Sequence, residues 1–215
     1  MMNKEKKDVI LLLGMTASGK TTIGRALSHR LKCRWIDMDE KIKDVCSLSV
    51  RSFYAIYGKK AFRQKESEVL QEVFDKWQKG EIAEKKGNEK YLVISCGGGL
   101  LENQEALDFL SSAFSDLLGV HIFLLEMPEK ILWKRVLHKA RKNRAFPAFL
   151  TQGNDEHFHF HKKTKKVAKY RANFLLLCKQ RRANFAKMER KLAYTRLKCK
   201  GKKISKLTRL MRNKI

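Results

Sequence analysis

The segment Gly14-Met15-Thr16-Ala17-Ser18-Gly19-Lys20-Thr21 sets four residues between two glycines and follows the second with a lysine and a hydroxyl. Backbone N–H groups of such a loop can wrap a phosphate, the lysine can reach the β and γ phosphates of a nucleotide, and the threonine can ligate Mg2+. Gly14, Thr16, Ala17, Ser18, Gly19, Lys20, Thr21 and the adjoining Thr22 are therefore the candidate ATP-binding residues. Three further groups have the composition of an acceptor site. Asp37 and Asp39 stand two apart, which on an extended backbone turns both carboxylates to one side, although aspartate also caps helices. Arg63 precedes Glu66 by three residues, so on one helix the carboxylate can hold the guanidinium for two-pronged binding of an anion. Gly97-Gly98-Gly99 permits positive φ and lets a ligand come close to the backbone.

The elements around these residues alternate between strands and helices. Val9 to Leu13 is a short apolar run, and Ile23, Ala26, Leu27 and Leu31 follow at helical spacing, which predicts a buried strand, the loop and a helix. Arg34 to Ile36 reads as a second strand, leading into a polar helix to Val45. Ser49 is placed to cap a helix that Gly58 stops, and Phe62, Glu66, Val69, Leu70, Val73, Phe74 and Trp77 give Lys59 to Lys79 an amphipathic helical pattern. A polar loop from Glu81 to Lys90 precedes the strand Tyr91 to Ser95, which ends in the triple glycine. A helix from about Asn103 to Phe114, the strand Val120 to Leu125 and a helix with Pro128 at its first position come next. Arg141 to Lys166 reads as irregular, then a helix from Thr164 towards Arg181, a strand from Ala193 to Leu197 and a helix from Ile204 to Met211. This order implies βαβ units and a parallel sheet covered on both faces, with ligands at the carboxyl ends of its strands.

In this order and spacing, Gly-x4-Gly-Lys-Thr, Asp37-x-Asp39, Gly58-x3-Phe62-Arg63-x2-Glu66 and Gly97-Gly98-Gly99 resemble the shikimate kinase family. The motifs are strong from about Val9 to Leu125 and weaker towards the C-terminus. The resemblance implies one domain over residues 1–215 with a three-layer αβα P-loop kinase fold, a parallel β-sheet and a mobile lid over about 142–166. It implies transfer of the ATP γ-phosphate to the 3-hydroxyl of shikimate, in the chorismate route to aromatic amino acids, by a cytoplasmic monomer that uses Mg2+. Lys20, Asp39 and Arg144 then take the catalytic roles. Asp39, Arg63, Gly97, Gly98, Gly99 and Arg181 bind shikimate, and Thr21 and Asp37 surround the metal, with Ser95 near the Walker-B position. Two departures stand out. Where the family lid has Arg-Pro-Leu, this chain has Asn143-Arg144-Ala145-Phe146-Pro147; the phosphate-covering role falls to Arg144, with Arg141 as substitute. Where the family has Arg-x-Pro-x-Tyr, the chain has Arg181-Arg182-Ala183-Asn184-Phe185. Arg181 is the choice for the substrate carboxylate, with Arg182 and Arg171 as rivals.

Composition narrows the alternatives. With 43% hydrophobic and 33% charged residues and only two prolines among 215, the chain belongs with globular proteins rather than disordered ones. The longest apolar run, five residues, is far short of a membrane span, and no secretory signal is expected. Five scattered cysteines with no C-x-x-C pair read as reduced thiols. The net charge of +26 is concentrated: residues 1–127 hold 20 Lys and Arg against 18 Asp and Glu, residues 128–215 hold 28 against 4. Such a basic half can contact nucleic acid, but charge runs are commonly solvated faces, and steering of anionic ATP and shikimate is the more economical expectation. His157, His159 and His161 could line one face of an extended segment and ligate a metal; a polar face opposite Phe158 and Phe160 is the plainer account. The competing functions are another P-loop small-molecule kinase of the gluconate or nucleoside monophosphate type, and a basic nucleic-acid-binding protein that retains a P-loop core.

Overall fold

Five consecutive side chains without a polar atom, Val9 to Leu13, have no more than 1% exposure, and they form the middle of the sheet. The computed structural model describes residues 7–82, 90–116, 119–151, 165–189 and 191–215. Five strands, β1 (Asp8–Gly14), β2 (Arg34–Asp37), β3 (Tyr91–Ser95), β4 (Gly119–Glu126) and β5 (Thr195–Lys198), lie in the order β2-β3-β1-β4-β5. All four pairings are parallel, with Leu12 level with Ser95 on one side and Phe123 on the other. A strand in such a position is buried on both faces, so its sequence is a continuous apolar run rather than an alternating one. Val9, Leu11 and Leu13 face one core while Ile10 and Leu12 face the other.

The helices are α1 (Lys20–Leu31), α2 (Met38–Cys46), α3 (Val50–Lys79), α4 (Gln104–Asp116), α5 (Glu129–Asn143), the four-residue α6 (Ala148–Thr151), α7 (Lys165–Glu189) and α8 (Ile204–Arg212). Helices α1 and α8 cover one face of the sheet, and the others supply most of the core on the opposite face, which makes the three-layer αβα architecture. Ser49 accepts a hydrogen bond from Ser52 N at 3.0 Å and so caps α3. The expected stop at Gly58 is a kink: Gly58 takes φ 76, ψ 179 between two helical stretches. Pro128 stands one position earlier than its sequence suggests, at the N-cap of α5.

Polar sequence conceals more helix than its composition suggests. Of the stretch expected to be irregular, Arg141 to Asn143 complete α5, Ala148 to Thr151 form α6, and Lys165 opens α7. Lys, Arg and Ala are good helix formers without any apolar pattern, so periodicity alone ends these helices too soon. Residues 152–164, which include the three-histidine cluster and most of the expected lid, lie outside the described residues. Helix α7 runs well past Arg181, and its buried stripe of Tyr170, Phe174, Cys178, Arg181, Phe185 and Met188 has helical spacing. Phe174 is fully buried, its ring 5.6 Å from that of Trp133 in α5, and Phe146 lies against both Trp133 and Tyr170. No helix among the described residues is long and apolar enough to cross a membrane.

This aromatic cluster docks α7 on α5 and thereby fixes Arg181. Phe174→Ala is expected to lower the free energy of unfolding by about 3–5 kcal/mol, measured by urea denaturation.

Candidate active site

Strand β1 ends at Gly14 with φ 145, and a Cβ there would lie 2.7 Å from the carbonyl oxygen of Leu125. Only glycine fits where the loop leaves the sheet. The loop closes on Gly19, the left-handed N-cap of α1, from which Ile23 N reaches back at 2.9 Å. Lys20 folds over the loop, its Nζ donating to the carbonyls of Gly14 at 2.9 Å and Met15 at 3.1 Å. Burial disfavours its charge and pulls its pKa down to about 8, against the opposing influence of Asp39 and Asp37. Thr21 Oγ1 donates to Asp37 Oδ2 at 2.8 Å.

Asp37 serves both readings offered by its sequence. It closes β2 and is the N-cap of α2, accepting from Asp39 N at 3.1 Å. Asp39 is thus in the first turn of a helix, and the two carboxylates come together through the cap rather than through strand alternation. Asp39 is exposed to the cleft itself but enclosed on its other sides. That enclosure, and secondly the charge of Asp37, push its pKa up, while Lys20, Arg63 and Lys139 oppose the rise. Ser95 is 3% exposed; its hydroxyl accepts from Trp35 Nε1 at 3.0 Å and donates to Lys20 O at 3.2 Å, so it anchors the start of α1 beside β3.

A second set of charges lies under the triple glycine. Glu66 has no exposed surface and accepts from Arg63 Nη1 at 2.6 Å. Burial raises the Glu66 pKa; on Arg63 burial is the largest influence and acts against the charge, but Glu66, Tyr54 and Glu102 together outweigh it and the guanidinium is held above its usual range. Arg181, 3% exposed, donates through Nε to Glu102 Oε1 at 2.7 Å and through Nη1 to Thr16 Oγ1 at 3.3 Å. Glu102 Oε2 also lies 2.6 Å from Lys59 Nζ and 3.7 Å from Arg63 Nε. Arg63 Nε itself is buried, with no hydrogen-bond partner among the described residues and Glu102 as its ion-pair neighbour. The glycines are needed for room, not for positive φ, which none of the three adopts. A Cβ on Gly97 would come within 1.8 Å of Glu66 Oε1, and one on Gly99 within 2.1 Å of Arg63 Nη2. On Gly98 it would meet Arg181 Nη1 and Thr16 Oγ1, each at 3.0 Å.

Two clefts open at the carboxyl ends of the strands. One, of about 570 Å³, is lined by Thr16 to Ile23 with Asp37, Asp39, Ser95, Arg135, Lys202, Ile204 and Leu207 among others. The other, of about 440 Å³, is lined by Tyr54, Phe62, Arg63, Gly97, Phe146, Phe149 and Arg181 among others. They meet at Thr16, Ala17, Asp39, Gly98 and Lys139, which line both. Two adjoining clefts thus share a wall that carries one carboxylate and one ammonium group.

A family profile described as Shikimate kinase matches residues 16–196. The chain belongs to the shikimate kinase family. A shikimate kinase of Clostridium botulinum is 31% identical over 170 residues, 79% of this chain and 86% of the relative. One from Chlorobaculum tepidum is 34% identical over 131 residues, 61% of this chain; there the chain spans 59% of the relative's length. Among solved structures, a shikimate kinase from Acinetobacter baumannii in complex with shikimate superposes with a TM-score of 0.66 at 19% identity, covering 97% of this chain and 93% of that one. The Aquifex aeolicus shikimate kinase gives 0.62 at 22%, covering 95% and 94%. At these identities the structural likeness is one of fold.

Within this member of the family the sequence-predicted residues separate into two groups. Lys20, Thr21, Asp37, Asp39, Arg63, Gly19, Gly97, Gly98 and Arg181 line the two clefts, with Gly99 against Arg63 and Arg181 just beneath. Of the rival arginines, Arg171 is exposed on α7 and Arg182 is exposed and paired with Glu129. Arg144 is exposed at the left-handed C-cap of α5 and lines neither cleft. Two cations five and nine residues before Arg144 on α5 had not been singled out: Lys139 lies between the clefts, and Arg135 donates to Ala17 O at 3.0 Å. Their i, i+4 spacing was a legible sign of a common face. Glu102 also escaped, and it had no such sign.

Lys20 gives this site a pH dependence. Phosphate binding requires the ammonium form, and the free protein loses it above pH 8. The affinity for ADP without metal is therefore expected to fall as pH rises through that value, by up to about tenfold per unit. Calorimetry across pH 7 to 9 checks this, with Lys20→Met expected to bind weakly and without the slope.

Proposed function

We propose that the chain transfers the γ-phosphoryl group of ATP to the 3-hydroxyl of shikimate, giving shikimate 3-phosphate for chorismate and aromatic amino acid synthesis. It acts as a cytoplasmic monomer with one catalytic domain. The observation that carries this reading is the shared wall of the clefts: Asp39 stands between the P-loop with Lys20 and the held pair Arg63 and Arg181.

ATP lies along the P-loop with its phosphates on the loop N–H groups and the α1 N-terminus. Shikimate sits in the second cleft, its carboxylate on Arg63 and Arg181 and its ring beside Gly97, Gly98 and Gly99. Asp39 accepts a hydrogen bond from the 3-hydroxyl. As the oxygen bonds to the γ-phosphorus, the bond from that phosphorus to the β,γ-bridging oxygen breaks, ADP leaves with the electron pair, and the hydroxyl proton passes to Asp39. The raised pKa of Asp39 suits it to take that proton late. Lys20 from one side and Lys139 from the other place positive charge where the transferred group passes, which is the main need of phosphoryl transfer. In this geometry Lys139 supplies what the sequence assigned to Arg144.

The hydroxyl of Thr21 and the carboxylate of Asp37, 2.8 Å apart at the loop, form an all-oxygen donor pair that suits Mg2+ completed by phosphates and water. These two residues would hold the ion, which when bound neutralises phosphate charge.

Coupled ADP release tests the reading. ATP turnover is expected to depend on shikimate, with gluconate and nucleoside monophosphates inactive. Asp39→Asn should lower kcat about 100-fold or more, and Arg181→Met should raise the KM for shikimate about 10–100-fold through loss of charged hydrogen bonds. Lys139→Met should lower kcat more than Arg144→Met does. Shikimate-independent turnover, or a larger loss from Arg144→Met, would contradict the assignment.

A further inference from the structure

Beyond Glu189 the chain carries eleven Lys and Arg and no Asp or Glu. Lys198, Lys200, Lys202, Lys203, Lys206, Arg209, Arg212 and Lys214 are all exposed, and none has an ion-pair partner among the described residues. The first half of the chain treats its cations differently. There Lys65 pairs with Glu68, Lys76 with Glu72, Arg25 with Glu40 and Lys59 with Glu102. An ordinary solvated face mixes its signs; this one does not.

We propose that the turn after β5 and the outer face of α8 bind the phosphate backbone of a nucleic-acid duplex without reading its bases. Lys206 and Arg209 lie opposite the buried Leu207, Thr208 and Met211, about 4.5 Å apart along the helix axis, with Lys203 at the N-cap and Arg212 on the two flanks. From Lys203 to Arg212 the cations extend about 13 Å along the axis, the rise of about four base pairs, while sweeping about half a turn around it. Arg30 of α1 extends the set sideways, its Nε donating to Thr208 Oγ1 at 3.0 Å. A shallow groove lined by His29, Arg30, Ile204, Ser205 and Thr208 runs between the two helices.

Two other polyanionic partners fit less well. A helix that binds a lipid surface needs its apolar face free to enter the headgroup boundary. The apolar residues Leu207 and Met211 of α8 are 2% and 0% exposed because they pack on Ile23, Leu27 and Leu31. Single-stranded nucleic acid is held by stacking bases on aromatic rings. Beyond Phe185 the sequence has one aromatic residue, Tyr194, which is half-buried under Arg196. What remains is charge that is exposed, without ion pairs among the described residues, and carried on a helix packed against α1, which suits the phosphates of a duplex.

The test is fluorescence anisotropy of the whole chain with a labelled DNA duplex of about 20 base pairs across a salt series. A linear fall of log K with log salt is expected. The variant Lys206→Gln/Arg209→Gln/Arg212→Gln/Lys214→Gln removes four cations, none of which lines the nucleotide cleft. It should flatten the slope by about 3 to 4 and keep the ATP turnover of the parent, which also reports that it is folded. Lys206→Arg with Lys214→Arg should keep the slope. An unchanged slope in the fourfold variant, or capture by phosphatidylserine vesicles without duplex binding, overturns the proposal.

Discussion

A carboxylate with no exposed surface, Glu66, sits on the core side of α3 among Phe62, Val69, Leu70 and Val73. A charge in that position is tolerable only when paired, and removing the partner of such a pair typically costs about 3–5 kcal/mol. Arg63 is the partner, one turn earlier on the same helix. Because the pair must lie under the end of β3, the strand has to leave the sheet on three residues without side chains. Gly97 yields to Glu66, Gly99 to Arg63, and Gly98 to Arg181 and Thr16. The second cleft, the proposed acceptor site, is therefore assembled around an electrostatic requirement of the core, with Arg63 already fixed in the ligand-free chain. Such preorganisation is what allows positive charge to act without reorganising at the moment of reaction.

The second arginine is held differently. Arg181 comes from a helix more than a hundred residues further along, and it is locked by Glu102 and Thr16 rather than by Glu66. Glu102 touches both guanidinium groups and Lys59. Those cations, Arg181 foremost, outweigh the opposing effect of its burial and hold its carboxyl below the usual range. The aromatic contacts between α5 and α7 carry Arg181 to the cleft, and the link to Thr16 ties the acceptor side to the P-loop. A shift of α7 would thus be felt by both ligands.

Contiguous features were legible in the sequence. The P-loop lies within eight residues, and the order of strands and helices follows from short apolar runs separated by helical patterns. Arg63 with Glu66 could be read because three residues bring them to one helix face. Arg181 stood among three candidates, yet the pattern of Phe174, Cys178, Phe185 and Met188 puts residue 181 in the buried stripe and residue 182 outside it. The glycines were found for a partly mistaken reason, since room rather than positive φ requires them. Arg135 and Lys139 share a helix face by their i, i+4 spacing, but that this face meets the P-loop, and that Glu102 meets Arg181, depends on how separate elements dock. Arg144 follows from motif position alone, and at the C-cap of α5 it is not among the residues that line the two clefts.

The central claim is that Arg63 and Arg181 together form a preset receptor for one carboxylate. Calorimetric titration of shikimate and of its methyl ester, into the parent chain and into Arg181→Met, tests it directly. The account requires the ester to bind about 10–100-fold more weakly than shikimate to the parent, and the two ligands to bind almost alike to the variant. Equal binding of acid and ester by the parent would contradict it.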